Sequence, residues 1–110
     1  ILGALGLGDI GQYFPDTDPA LAGVDSRKLL KSIAKKMHAL NYSIGNVDAT
    51  IVAQAPKLAP YLTLMQSNIA SDLSCNAAQI NIKATTTERL GFCGREEGMA
   101  AHAVVLVTKT

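Results

Sequence analysis

The chain has no tryptophan, two cysteines and two histidines, and aromatic residues make up 5% of it. Each scarcity removes a class of function. Cys75 and Cys93 make no metal-type spacing and no disulfide framework, so they read as free thiols of a reducing compartment. His38 has no second histidine at ligand spacing and reads as a surface residue; His102, on a strand, reads as a satisfied structural histidine. There is no GxGxxG, no Gly-rich Walker loop and no Ser-His-Asp order. No stretch approaches the ~20 apolar residues of a membrane span. Charged residues are sparse at 17%, and a net charge of +1 argues against a general nucleic-acid binder.

An apolar fraction of 48% is too high for disorder. With so little charge, part of the apolar surface is expected to be covered by other subunits. A length of 110 residues allows one domain, 1–110, that buries about two-thirds of its unfolded surface. The opening Ile1-Leu2-Gly3-Ala4-Leu5-Gly6-Leu7-Gly8 has no basic flank and is not a signal peptide. It has no Met and no cap, and reads as the tail of a helix whose beginning is absent, hence as part of a truncated piece.

Gly8 to Pro19 reads as an ordered loop, with Pro15 and Pro19 extending their predecessors. Asp9, Asp16 and Asp18 fall close together there, suited either to capping or to binding hydroxyls or a cation. Asp25 or Ser26 caps a helix whose apolar stripe is Leu29, Leu30, Ile33, Ala34, Met37 and Leu40. Arg27, Lys28, Lys31, Lys35 and Lys36 form its solvated basic side, and Gly45 follows where the chain turns. Val47 to Gln54 alternates as a strand and runs into a break at Ala53 to Lys57. Pro60 opens a second helix carrying Leu62, Met65, Ile69 and Leu73, and Gln79 to Lys83 is a second strand.

Strand, helix, strand is a βαβ unit, so the two strands are expected parallel with a right-handed crossover. Their carboxyl ends, Ala53–Lys57 and Ala84–Glu88, then meet at the edge where open α/β sheets bind ligands. Met99 to Val107 is a last strand with apolar residues on both faces, one for the helices and one for a second sheet or another subunit.

Lys83 to Gly98 is dense in hydrogen-bonding groups: Thr85, Thr86, Thr87, Glu88, Arg89, Arg95, Glu96 and Glu97. Thr85 with Glu88 fits a capping box that opens a helical turn. The same hydroxyls and N–H groups suit phosphate, and Glu88 suits a divalent cation held against phosphate oxygens. Arg95 offers a planar fork for phosphate or an ion pair with Glu97; Lys57 reaches an anion or lies in solvent. From residues alone this is a phosphate-ligand domain that forms oligomers.

Six phrases then carry a resemblance: Gly8-Asp9-Ile10-Gly11, Phe14-Pro15-Asp16-Thr17-Asp18-Pro19, Asp25-Ser26-Arg27, Gly45-Asn46-Val47-Asp48, Ala53-Gln54-Ala55-Pro56-Lys57 and Lys83 to Phe92. In this order they resemble the 2-C-methyl-D-erythritol 2,4-cyclodiphosphate synthase family over essentially the whole chain. The resemblance implies cyclisation of 4-diphosphocytidyl-2-C-methyl-D-erythritol 2-phosphate with release of CMP, a step of non-mevalonate isoprenoid precursor biosynthesis. It implies a homotrimer with active sites between subunits, in the bacterial cytoplasm or a plastid. The expected fold is therefore α/β (α+β): a mixed sheet containing a βαβ unit, helices on one face, the other face packed in the trimer.

Carried over residue by residue, the resemblance puts Asp9, Ile10 and Gly11 at the sugar hydroxyls of the nucleotide. It puts Phe14, Pro15, Asp16, Thr17 and Asp18 along the erythritol and phosphate region. Ala53, Gln54, Ala55, Pro56, Lys57, Leu58 and Ala59 would form a cytosine pocket, largely through backbone groups. Thr85, Thr86 and Thr87 would contact the diphosphate, with Thr86 catalytic as transition-state stabiliser. Glu88 would ligate Mg or Mn bridging the phosphates, and Phe92 and Arg95 match further ligand positions. Arg95 and Glu97 lie toward an axial cavity that takes isoprenoid diphosphates. The family's zinc ligands are absent from this chain, and Glu96 stands where the family usually has glycine. The alternative is a catalytically inactive, truncated trimeric binder of cytidine nucleotide or isoprenoid diphosphate; a fusion to a cytidylyltransferase is a further arrangement.

Overall fold

A computed structural model describes residues 1–110. Its three strands and the helices on one side of them follow from the apolar periodicities. Helix α1 is Ile10–Tyr13, α2 Ser26–Ala39 and α3 Leu62–Leu73, and α4 is the short Gly91–Gly94; strands β1 (Tyr42–Val52), β2 (Ile80–Thr85) and β3 (Ala100–Lys109) form one sheet in the order β2-β1-β3. β1 and β2 are parallel, with Val47 opposite Ile80 and Val52 opposite Thr85, as the βαβ pattern predicts. β3 runs antiparallel along the other edge of β1, pairing Val47 with Val105 and Thr50 with His102. No helix is long and apolar enough to cross a membrane.

The core lies between the helices and one sheet face. Ala34 and Met37 of α2, Ala70 and Leu73 of α3, and Ile44, Val47 and Ile80 of the strands form one buried cluster. Val105 and Val107 of β3 pack against it at half burial, while Val104 and Leu106 on the opposite face are 75% and 59% exposed. Next to them on that open face, Asp48 accepts hydrogen bonds from Asn81 and from Lys83, each at 3.0 Å. His102 is exposed on β3 rather than satisfied within a packed interior.

Several local expectations change once tertiary partners are present. The apolar opening makes overlapping hydrogen-bonded turns, among them Leu5 N–H to Ile1 O at 3.1 Å and Gly6 N–H to Gly3 O at 3.1 Å, without a regular helix. α2 stops at Asn41, whose φ of 64° supplies the left-handed residue that ends many helices. Leu40, assigned to the apolar stripe, is therefore past the last turn and 45% exposed. Gly45 is no turn: it sits inside β1 where the register shifts between Ile44 and Asn46, and a Cβ there would stand 3.1 Å from the Leu106 carbonyl oxygen. Gln79 is not yet strand; its amide donates to the Ile44 and Gly45 carbonyls at 2.9 and 3.0 Å and so satisfies the bulge.

Arg27 departs most from its expected place on a solvated face. Its guanidinium grips Asp72 of α3 through two bonds of 2.9 Å, and Lys31 stands 3.7 Å from the same carboxylate. Asp72 is buried, and the hydrogen bonds from Arg27 hold its carboxyl below the usual range against the opposing effect of burial. The pair ties the start of α2 to the end of α3.

Candidate functional site

The parallel pair brings two chain segments out of the sheet side by side. Past the Val52–Thr85 pairing, the ladder continues with Ala53 N–H to Thr85 O at 3.0 Å. The two segments then diverge and leave a cleft of about 470 Å³, lined by Ala53, Gln54, Pro56, Lys57, Leu58, Ala59, Ala84, Thr85 and Thr86. One wall carries the cis Ala55–Pro56 peptide and the exposed Lys57; the other carries threonine hydroxyls.

The threonine wall does not open a helix. Thr85 is still in β2, paired with Val52, and so cannot serve as a helix cap. Thr86 Oγ1 instead accepts from Glu88 N–H at 3.2 Å, and Leu90 N–H bonds to Thr87 O at 3.0 Å. The enclosed Glu88 and Arg89 have φ of 55° and 66°, the two successive left-handed residues of a tight primed turn. Gln54 reaches across the cleft and accepts from Arg89 N–H at 3.0 Å. Glu88 makes none of the chain's ion pairs and stands exposed at the tip of this turn.

Behind the turn, Gly94 packs directly on the Arg89 backbone: a Cβ built on Gly94 would lie 2.6 Å from Arg89 Cα and 2.8 Å from its carbonyl oxygen. Phe92 is 52% exposed, and Arg95 forms a two-bond ion pair with Glu97 at 3.0 and 3.2 Å. Neither Phe92 nor Arg95 lines the cleft. Glu96 has φ of 61°, a backbone that glycine adopts without strain. Glu96→Gly is expected to stabilise the fold by about 1 kcal/mol, the usual penalty of a left-handed non-glycine residue, read by chemical denaturation. An unchanged or lower midpoint would mean that the Glu96 side chain itself contributes.

The amino-terminal candidates lie elsewhere on the chain. Asp9 caps α1, accepting from Gln12 N–H at 3.2 Å, and Asp18 caps the short turn Pro19–Leu21, accepting from Ala20 N–H at 2.9 Å. None of Asp9, Gly11 or Phe14 to Asp18 lines the cleft. Ile10 lines a separate apolar hollow of about 590 Å³ with Leu29, Ile33 and Val105. One chain thus lines the cleft with Ala53, Gln54, Pro56–Ala59, Thr85 and Thr86, carries Thr87 and Glu88 on the adjoining turn, and leaves Asp9–Asp18, Phe92 and Arg95 outside the lining.

No three His, Cys, Asp or Glu side chains come together in a group that could hold a metal ion. A zinc site is therefore not one that these residues can form. The unpaired Glu88 carboxylate, next to threonine hydroxyls, is of the kind Mg²⁺ takes, one or two carboxylates plus substrate oxygens. Two features escaped the sequence reading. The Gln54 side chain works on the opposite wall, and Gly94 is required by contact; only its place in a glycine-rich turn hinted at that.

A family model described as YgbB matches residues 1–108. A 2-C-methyl-D-erythritol 2,4-cyclodiphosphate synthase of Thioalkalivibrio sulfidiphilus is 60% identical over 107 residues, which are 97% of this chain and 67% of that protein. The synthase of Pseudomonas savastanoi is 58% identical over 109 residues, 99% of this chain and 69% of that one. Among solved structures, the bifunctional IspDF from Campylobacter jejuni superposes with a TM-score of 0.94 at 46% identity, over 99% of this chain and 30% of its own. A CDP complex of IspF from Plasmodium falciparum superposes with a TM-score of 0.84 at 33% identity, over 98% of this chain and 64% of its own.

Proposed function

Because the chain belongs to the YgbB family, alongside curated 2-C-methyl-D-erythritol 2,4-cyclodiphosphate synthases, we propose that its cleft holds the cytidine diphosphate end of the substrate that these enzymes cyclise. The observation that carries this reading is the junction of Ala53–Ala59 with Thr85–Glu88 at one sheet edge. Cytosine lies against the backbone of Ala53–Ala59, and the diphosphate against Thr85, Thr86 and Thr87. Glu88 would hold Mg²⁺ or Mn²⁺ together with substrate phosphate oxygens. The CDP complex of a relative with this fold supports the cytidine assignment for the cleft.

The mechanism follows from charge. The 2-phosphate oxygen of the substrate attacks its own β-phosphorus, a new P–O bond forms, and the P–O bond to the α-phosphate breaks with its electron pair leaving on CMP. No protein nucleophile is needed, so the residues act by positioning and by stabilising charge. Thr86 Oγ1 already accepts the Glu88 N–H, which leaves its own proton free for a phosphoryl oxygen. A divalent cation, if held by Glu88, would supply neutralisation of the phosphate charge. Lys57, on the opposite wall, adds a mobile positive charge.

Asp9, Ile10 and Gly11 hold the ribose hydroxyls, and Phe14 to Asp18, with Phe92 and Arg95, meet the remaining substrate. That none of them lines this chain's own cleft supports a site completed by a neighbouring subunit of a homotrimer, as do the exposed Val104 and Leu106 of the open sheet face. Residues 1–110 are read as one domain around one core, acting in the cytoplasm, with an isoprenoid diphosphate on the trimer axis; zinc, whose family ligands this chain lacks, is not assigned to these residues.

Calorimetry of this chain with CDP tests it. CDP is expected to bind with Mg²⁺ strengthening the interaction, and Glu88→Gln to remove about tenfold in affinity, the worth of one lost carboxylate–metal contact of about 1.4 kcal/mol. Absence of CDP binding at millimolar nucleotide would sink the assignment. A polypeptide carrying this chain at the full length of its relatives is expected to release CMP in the presence of zinc and magnesium.

A further inference from the structure

Gln54 is the only side chain that links the two walls of the cleft by a hydrogen bond: its Oε1 accepts Arg89 N–H at 3.0 Å, 35 residues away. The bonded peptide is the one that follows Glu88, so its place determines where the Glu88 carboxylate starts from. The same Arg89 backbone packs closely on Gly94 of α4, where a Cβ would stand 2.6 Å from Arg89 Cα. The Arg89 backbone is thus engaged twice, by the Gln54 acceptor at its N–H and by the close approach of Gly94 at its Cα and carbonyl. Gln54 itself sits half-buried one residue past Ala53, whose N–H belongs to the strand ladder. A tight turn with two left-handed non-glycine residues does not keep one geometry by itself; here it is tethered to the sheet.

We propose that Gln54 is a positioning residue that fixes the Glu88 turn to the nucleobase wall, so that Mg²⁺–diphosphate capture depends on the Gln54–Arg89 bond. This rests on the nucleotide reading of the cleft and goes beyond it: Gln54 acts on the metal end of the ligand although it stands on the base side. Leucine at this position keeps the bulk and removes the acceptor; glutamate keeps the acceptor.

Two measurements on the full 110-residue chain decide it. In amide hydrogen exchange, Gln54→Leu is expected to raise the Arg89 exchange rate about tenfold or more. Ala53, bonded within the ladder, stays protected, and Gln54→Glu restores Arg89. In calorimetry, Gln54→Leu is expected to lose most of the Mg²⁺-dependent gain in CDP affinity, so that the loss measured with Mg²⁺ exceeds the loss measured in EDTA by about tenfold. Gln54→Asn, too short to reach Arg89, repeats both results should the leucine variant fold poorly. The proposal is overturned if Arg89 exchange is unaffected, if CDP affinity falls equally with and without Mg²⁺, or if neither affinity moves. Failure of the wild-type chain to bind CDP at all overturns the nucleotide reading and the metal role with it. The exchange experiment still reads the Gln54–Arg89 bond on its own.

Discussion

Gly94→Ala is expected to destabilise the chain by about 3 kcal/mol and to weaken Mg²⁺-dependent CDP binding by at least about tenfold. The reason is contact with backbone. A methyl group on Gly94 would stand 2.6 Å from Arg89 Cα and 2.8 Å from Arg89 O, closer than non-bonded atoms approach, and no side-chain rotation relieves it. Either α4 swings out, uncovering the buried Cys93, or the Arg89 backbone shifts and its bond to Gln54 is distorted. In both cases Glu88 leaves its position. The contrast is Gly91, whose added Cβ would meet nothing within 4 Å and whose φ of 69° makes its substitution a matter of backbone strain alone. Gly91→Ala is thus the milder change. Denaturation midpoints and CDP titrations of the two variants separate the effects; a Gly94→Ala chain with wild-type stability and affinity would remove the clamp from the account.

The parallel edge and the turn beside it differ in how far they can be read from residues. Val47 to Val52 alternates, α3 carries an apolar stripe of the right length, and Ile80 to Ile82 alternates again; burial of those stripes against one another leaves one sensible topology. The meeting of Ala53 with Thr85 follows from that topology, and so was legible. The beginning of β1 was not, because its bulge at Gly45 is stabilised by Gln79 and Leu106, both remote in sequence. The Thr85–Glu88 stretch was misread for a similar reason. Its residue types favour a helix cap, but pairing in β2 keeps Thr85 extended, and Gln54 and Gly94 hold the left-handed turn. Asp9 and Asp18 caused no such difficulty, since capping involves only neighbouring residues.

Arg27→Ala is expected to lower the melting temperature by about 10 °C at neutral pH, with a CDP affinity unchanged if the fold is intact. Helical periodicity places Arg27 among lysines, yet its partner lies on another helix, which no reading of α2 alone could supply. Removing the guanidinium leaves the Asp72 carboxylate, with no exposed side-chain surface, facing only Lys31 at 3.7 Å. The loss is therefore dominated by an uncompensated buried charge. Two consequences distinguish it from lost packing. Because the Asp72 pKa is lowered in the folded chain, the pair's contribution is fully present above the unfolded carboxylate value of about 3.9 and disappears as pH falls through the lower folded value. The gap in melting temperature between wild type and Arg27→Ala should then narrow as pH drops below about 4, where the orphaned carboxyl takes up a proton. Adding Asp72→Asn to Arg27→Ala should recover part of the loss at pH 7, since it removes the charge that lacks a partner. A gap independent of pH, together with no recovery in the double variant, would show that the guanidinium stem and not the ion pair holds α2 to α3.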